Sequence, residues 1–74
     1  MEATVEAIEG SIETNLFLAN AYASQGAAGL AAECALAASL EYTRFSAVLL
    51  RYGDAKLAAA VGMAERKYLA EASR

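Results

Sequence analysis

The sequence predicts an all-α fold, an antiparallel up-down-up bundle of three helices, and three observations support this prediction. About a quarter of the 74 residues are alanine, the strongest helix former, and proline is absent. Apolar residues recur at intervals of three and four positions, which is the period of an amphipathic helix. Gly26 and Gly53 divide the chain into three segments of similar length. We therefore expect a single helical domain that comprises residues 1–74.

The first predicted helix covers residues 3–24 and ends at Gly26, since glycine readily adopts the left-handed conformation that follows many helices. Gly10 and Ser11 interrupt the segment, and Ser11 is a suitable N-cap for a new helix, which would give four helices instead of three. The apolar residues of the segment form one stripe that we expect to face the core: Val5, Ile8, Ile12, Leu16, Ala19 and Tyr22.

The second predicted helix covers residues 28–52 and carries two apolar stripes. The first stripe consists of Ala31, Cys34, Ala38, Tyr42, Phe45 and Leu49. The second stripe consists of Leu36, Leu40, Ala47 and Leu50. A helix that is apolar on two sides is a central helix, covered by two neighbours or by one neighbour and another subunit.

The third predicted helix covers residues 55–73, and Asp54 is a suitable N-cap for it. If the chain folds back at its two dividing glycines, Ile12 should lie near Leu40 and Tyr68 near Ala38. Tyr68 would then face a small residue, as a dense core requires. The inward stripe of this helix consists of Leu57, Val61, Ala64, Tyr68 and Ala72.

The composition argues against an enzyme and against a bound cofactor. Histidine is absent, so the chain has no imidazole to transfer protons near neutral pH or to bind a metal ion. The single cysteine, Cys34, has no histidine to activate it as a nucleophile, and we expect it to be a core residue. We therefore predict no catalytic residue, no cofactor and no cofactor-binding site.

Four glutamates share one face of the first helix, at positions 2, 6, 9 and 13. Carboxylates at such spacing are candidates for a cation site. However, bundles that bind two metal ions draw carboxylates from several helices and add histidines. We therefore expect this face to be solvated, with its acids favourably placed near a helix N-terminus, and we predict no metal site.

The charge and hydropathy patterns predict neither nucleic-acid binding nor a membrane span. The net charge is −3 and the chain has six lysines and arginines, too few for a generic phosphate-binding surface. The longest uncharged stretch, residues 14–32, contains asparagine, glutamine and glycine. The start of the chain lacks the basic and continuously apolar pattern of a secretory signal, and we expect a cytoplasmic protein.

The abundance of apolar residues predicts association. Hydrophobic residues make up 58% of the chain, more than so short a chain easily buries, and a single cysteine forms no internal disulfide. Phe17 shares a helical face with Glu6 and Glu13, and aromatic residues are enriched at interfaces. We predict a non-enzymatic assembly or interaction module that forms a homo-oligomer or binds another helical protein. The predicted contacts are Phe17, Leu18, Leu36, Leu40, Ala47 and Leu50.

Two alternative functions remain open. The first is a small-ligand-binding or regulatory subunit with a pocket between helices, for which Tyr22, Tyr42 and Tyr68 would supply polar groups. The second is a structural protein that forms filaments, in which the acidic start of one subunit meets the basic end of the next. Such a heterologous contact need not close into a ring.

Overall fold

The computed structural model describes residues 5–51 and 55–73, apart from the side chains of Leu50 and Arg51, and these residues form helices without any strand. The prediction of an all-α bundle is confirmed. The segment 52–54, which includes Gly53 and the predicted Asp54 cap, lies outside the described residues. The helices are α1 (Val5–Ser24), α2 (Ala28–Arg44), α3 (Ser46–Arg51) and α4 (Ala55–Ala72).

The second long helix is the centre of the bundle. Helix α2 packs along both α1 and α4, whereas α1 and α4 contact each other much less closely. Both neighbours run antiparallel to α2, so α1 and α4 are parallel to each other. Ala31 and Ala38 of the first predicted stripe are fully buried, as is Leu49 on α3. The prediction of a central helix covered by two neighbours is thus confirmed for this stripe.

The core has two parts of different composition. The aliphatic cluster lies at the end of the bundle where α1 and α4 begin, and it contains Ile8, Ile12, Ala38, Leu49, Leu57 and Val61. The alanine cluster lies at the opposite end and contains Ala19, Ala31, Ala32, Ala35 and Tyr68. Alanine lets helix axes approach closely, and Tyr68 is the large side chain that fills the remaining space between them.

The turn after α1 has the predicted glycine geometry. Gly26 has a φ of +80°, in the left-handed region that favours glycine. The Gly26 N–H donates to the carbonyl of Ala23, and the Ala27 N–H donates to the carbonyl of Tyr22. This pair of hydrogen bonds is the Schellman motif, which satisfies carbonyls that the end of a helix leaves without partners.

Helix α1 is continuous, so the alternative break at Gly10 and Ser11 does not occur. Gly10 is exposed, and the Thr14 hydroxyl donates a hydrogen bond of 2.8 Å to its carbonyl. An interior glycine costs a helix only about 0.5–1 kcal/mol. Burial of Ile8 and Ile12 along one uninterrupted stripe outweighs that cost, because each buried aliphatic side chain contributes roughly 1.5–3 kcal/mol.

The predicted continuous helix over residues 28–52 is wrong, because the chain bends at Phe45. Phe45 has φ −107° and ψ 16°, and its N–H still donates to the carbonyl of Glu41. Its own carbonyl accepts hydrogen bonds from the N–H groups of Val48 and Leu49 in α3. Phe45 packs against the aliphatic cluster and Leu49 is buried in it, so the inward stripe continues across this interruption.

The predicted contacts across the bundle differ from those observed. Ile12 is buried in the cluster that contains Ala38, whereas Leu40 is 63% exposed. Tyr68 packs in the alanine cluster with Ala35, one turn of α2 away from the predicted Ala38. Counting residues from the turns gives the approximate level along each helix. It does not give the rotation of the helix about its own axis, which decides the contacts.

Candidate functional site

A groove runs between α1 and α4, the two long helices that contact each other least. It is open to solvent, has a volume of about 700 Å³ and is mostly apolar. Helix α1 contributes Leu16 and Asn20. Helix α4 contributes Ala60, Met63, Ala64, Arg66, Lys67 and Tyr68. The groove exists because α2 holds both neighbours while no further helix covers the gap between them in the described part of the chain.

Tyr68 connects the core to the wall of this groove. Its ring is buried in the alanine cluster, and its hydroxyl donates a hydrogen bond to Oδ1 of Asn20. The ammonium of Lys67 lies 5.3 Å from the centroid of the same ring, within the range of a cation–π interaction. A more polar depression of about 450 Å³ continues beyond Tyr68 and includes Ser24 and Glu71.

The role of Asn20 was not predicted from the sequence. Its partner Tyr68 lies on a helix that is not its neighbour along the chain, so the pair is recognised only when α1 and α4 are placed side by side. The available signal was that α1 and α4 run parallel in an up-down-up bundle. This arrangement places Asn20 and Tyr68 near the same end of the bundle.

Acidic residues and an aromatic residue lie on α1 next to the groove. Helical spacing places Glu6, Glu9, Glu13 and Phe17 on the face that adjoins the lining residues Leu16 and Asn20, and we call these four residues the acidic flank. Phe17 is 71% exposed, more than any other large hydrophobic residue in the described part of the chain. An aromatic side chain of this exposure, beside an apolar groove, is typical of residues that become buried on association.

The α4 side of the groove carries basic residues. Lys56, Ala60, Met63 and Lys67 follow one another at intervals of four, three and four positions, and we call them the basic flank. Met63 is 64% exposed. The faces of α1 and α4 on which these two flanks lie therefore carry opposite charge, and each face exposes a large apolar side chain.

The structure divides the six predicted contact residues among several surfaces. Phe17 lies on α1 beside the groove. Leu18, the next residue in sequence, lies on a neighbouring face of the same helix. Leu36 and Leu40 are exposed one turn apart on α2, and we call this pair the outer α2 surface. Ala47 is exposed on α3. The side chain of the sixth residue, Leu50, lies outside the described part of the structure.

Of the three tyrosines proposed to surround a ligand, the structure places only Tyr68 at the groove. Tyr22 packs against the alanine cluster and Tyr42 against the aliphatic cluster. The hydroxyl of Tyr42 and Oε1 of Glu41 are buried, and neither has a hydrogen-bond partner within residues 5–51 and 55–73. The tyrosines therefore do not converge on one cavity.

The remaining candidate residues are dispersed. Cys34 is a free thiol, half-buried against the alanine cluster. Glu6 and Glu13 are exposed, as predicted for a solvated face, whereas Glu9 is half-buried and Glu2 lies outside the described residues. Within the described ranges, no three acidic or cysteine side chains are grouped closely enough to hold a metal ion. None of the helices in these ranges has the length and hydropathy to cross a bilayer.

No protein-family model matches the chain, and no significant similarity links it to a curated protein or to a solved structure. The function is therefore inferred from the surfaces of this chain alone. The relevant features are the apolar groove, its two oppositely charged flanks and the outer α2 surface.

Proposed function

We propose that the protein is a non-enzymatic, cytoplasmic assembly module that associates with itself through apolar helix faces. One observation carries this proposal. Phe17, Leu40 and Met63 are 71%, 63% and 64% exposed, and they lie on three different helices. Single exposed apolar residues are ordinary, but exposure of large ones on every long helix of so small a protein is typical of an interaction module.

The composition of the core supports the same proposal. Five of the eleven buried hydrophobic residues in the described part of the chain are alanine. Alanine buries few apolar atoms, and each square ångström of apolar surface removed from water contributes about 25 cal/mol. Association would supply burial that the isolated chain lacks.

We propose that the six predicted contact residues act in two groups. Phe17 and Leu18 would contribute from α1, and Leu36 and Leu40 from the outer α2 surface, with Ala47 and Leu50 extending the second group along α3. The partner is a second copy of the chain or another helical protein. Neither nucleic acid nor a membrane is part of the proposal.

A small-ligand-binding function is the second candidate, and the groove is the observation that favours it. Its volume of about 700 Å³ falls within the usual size of ligand sites. The hydroxyl of Tyr68 is already bonded to Asn20, so Arg66 and Lys67 are the polar groups most available to a ligand. A compound that raises the melting temperature of the protein would support this candidate.

The geometry supports lateral association better than head-to-tail filaments. Because α1 and α4 are parallel, the acidic flank and the basic flank lie side by side along the groove, and both extend over several turns. Opposite charges at the two ends of the molecule would favour open-ended growth. Opposite charges along one side favour a closed pair.

The proposal is tested by the molar mass in solution, determined by light scattering after size exclusion at low and high salt and over a range of protein concentrations. A discrete oligomer of the 7.7 kDa chain supports self-association. A mass that increases continuously with concentration would favour filaments. A monomer at every concentration would overturn the proposal.

A further inference from the structure

We infer that the α1–α4 groove binds a second copy of this chain, with Phe17 of each copy inserted into the groove of the other. This inference rests on the proposed function and names its contact surface. The groove is a gap beside two parallel helices that an additional helix would fill. Within the described residues, apolar and charged side chains recur at regular intervals on the two helices beside it.

The spacing along both flanks is that of helices that pack against other helices. On α1, Glu6, Glu9 and Glu13 continue to Leu16 and Asn20 at intervals of three and four positions. The basic flank on α4 shows the same kind of spacing. Alternation of three and four positions keeps one seam of a helix facing its partner over several turns.

The charges on the two flanks favour a second copy as the occupant. Each copy carries an acidic flank on α1 and a basic flank on α4. A two-fold axis parallel to the helices places α1 of one copy against α4 of the other, and it forms this complementary pairing twice. A two-fold axis across the helices would instead place the acidic flanks against each other, which like charges disfavour.

The Tyr68–Asn20 hydrogen bond shows which positions of α1 and α4 lie at the same level, that is, at the same height along the bundle axis. It joins positions 48 residues apart, so Lys56 lies level with the stretch between Glu6 and Glu9. By the same offset, Met63 lies level with the stretch between Glu13 and Phe17. In the two-fold pair, each lysine or methionine of one copy therefore meets carboxylates or the aromatic ring of the other.

The dimensions of the molecule fit such a contact. The chain measures 39 × 20 × 16 Å along its principal axes. A stable interface commonly buries about 800 Å² on each subunit, and only a long face of this molecule offers that area. The groove and its flanks extend along a long face. The groove volume of about 700 Å³ receives the aromatic side chain without displacement of the core.

The first test compares two exposed side chains on different surfaces. Phe17→Ala is expected to raise the dimer Kd in sedimentation equilibrium by roughly tenfold or more, because each dimer loses two buried aromatic anchors. Leu30→Ala is the matched control, because Leu30 lies outside both the groove and the six proposed contacts, and its expected change is less than about twofold. Phe17 is 71% exposed and Leu30 is 48% exposed in the monomer, so neither substitution is expected to disturb folding.

The second test reverses the charge of each flank. Glu6→Lys with Glu13→Lys makes the acidic flank basic, and Lys56→Glu with Lys67→Glu makes the basic flank acidic. Each double variant alone should dissociate to monomers at low salt. A mixture of the two variants should form heterodimers, because every flank then meets the opposite charge. Unchanged far-UV circular dichroism confirms that each variant is folded.

The outcomes separate this inference from the proposed function. A dimer that Phe17→Ala leaves intact but Leu40→Ala weakens would overturn the groove contact and leave self-association standing. Failure of the mixed charge variants to associate would also overturn the groove contact. A wild-type chain that is monomeric at all concentrations would overturn both proposals.

Discussion

Tyr68 contributes both to the packing of the core and to the wall of the groove. Its ring is 3% exposed among four buried alanines, and its hydroxyl reaches the groove wall and bonds to Asn20. The ring supplies volume that the alanines lack, and the hydroxyl fixes α1 relative to α4 where these helices otherwise contact little. A change at Tyr68 therefore affects both stability and the shape of the groove.

Two substitutions separate these roles. Tyr68→Phe keeps the ring and removes the hydrogen bond, and we expect the free energy of unfolding to fall by about 0.5–1.5 kcal/mol. Tyr68→Ala empties the alanine cluster, and we expect a loss of about 3–5 kcal/mol, which approaches the whole stability of so small a domain. Urea unfolding followed by circular dichroism measures both values.

The contribution of Asn20 is measured by a double-mutant cycle. Asn20→Ala alone and Tyr68→Phe alone each remove the same hydrogen bond, so their combination should destabilise the protein by less than the sum of the two. Full additivity would show that the hydrogen bond contributes nothing to stability.

Two glycines in open surroundings should respond to alanine with opposite sign. No atom lies within 4 Å of a Cβ added at Gly26 or at Gly10. Gly26 has a φ of +80°, so Gly26→Ala should destabilise the protein by about 1–2 kcal/mol through backbone strain. Gly10 is inside α1, so Gly10→Ala should stabilise it by about 0.5–1 kcal/mol. Thermal unfolding of the two variants under one condition checks the signs, and a stabilising Gly26→Ala would contradict the assigned turn.

At the scale of the elements, the helices and their inner faces are predictable from the sequence. Intervals of three and four positions identify Ile8 and Ile12 on α1 and Leu57 and Val61 on α4, and all four are buried. The end of α1 is equally predictable, because Gly26 supplies the positive φ that the Schellman motif needs. These features depend on local chemistry that one segment contains by itself.

The features that the sequence does not reveal depend on contacts between segments. The helical segment that begins with α2 is interrupted at Phe45, and no glycine or proline marks this interruption. The Asn20–Tyr68 bond depends on the rotation of two helices that are not adjacent in sequence. Gly10 is the converse case. It weakens the helix locally, but the burial of Ile8 and Ile12 outweighs this cost and α1 remains continuous.

The two sides of the central helical segment should differ sharply in their tolerance to truncation. Leu49 is fully buried, and Leu49→Ala should reduce the free energy of unfolding by about 2–5 kcal/mol. Leu40 is 63% exposed, and Leu40→Ala should change it by less than about 0.5 kcal/mol. Urea unfolding at a protein concentration that favours the monomer makes the comparison, and equal losses would contradict the placement of these leucines.

At the scale of the whole molecule, the α1–α4 groove is a position that a further helix could occupy. Helix α2 covers both neighbours with alanine-rich faces, and the molecule extends 39 Å in length but only 16 Å in its thinnest direction. A second copy placed in the groove would cover Phe17 and Met63 and bring oppositely charged flanks together. The apolar contacts would supply the affinity, and the charges would select the orientation.

Salt should weaken this dimer without abolishing it. The flank charges are largely exposed, and each exposed ion pair contributes about 0–1 kcal/mol, which salt screens. We expect the Kd to rise by up to about tenfold between low and high salt, because the apolar contacts remain. Sedimentation equilibrium across a salt series measures the change. A dimer Kd that falls when salt is first added would show that opposite charges do not meet across the interface.

The most direct measurement is an isotope-filtered nuclear Overhauser experiment on a mixture of labelled and unlabelled chains, which detects contacts between copies only. We predict cross-peaks between the ring protons of Phe17 in one copy and the methyl group of Met63 in the other. Cross-peaks that instead involve the methyl groups of Leu36 and Leu40, with none at Phe17, would contradict the groove as the site of association.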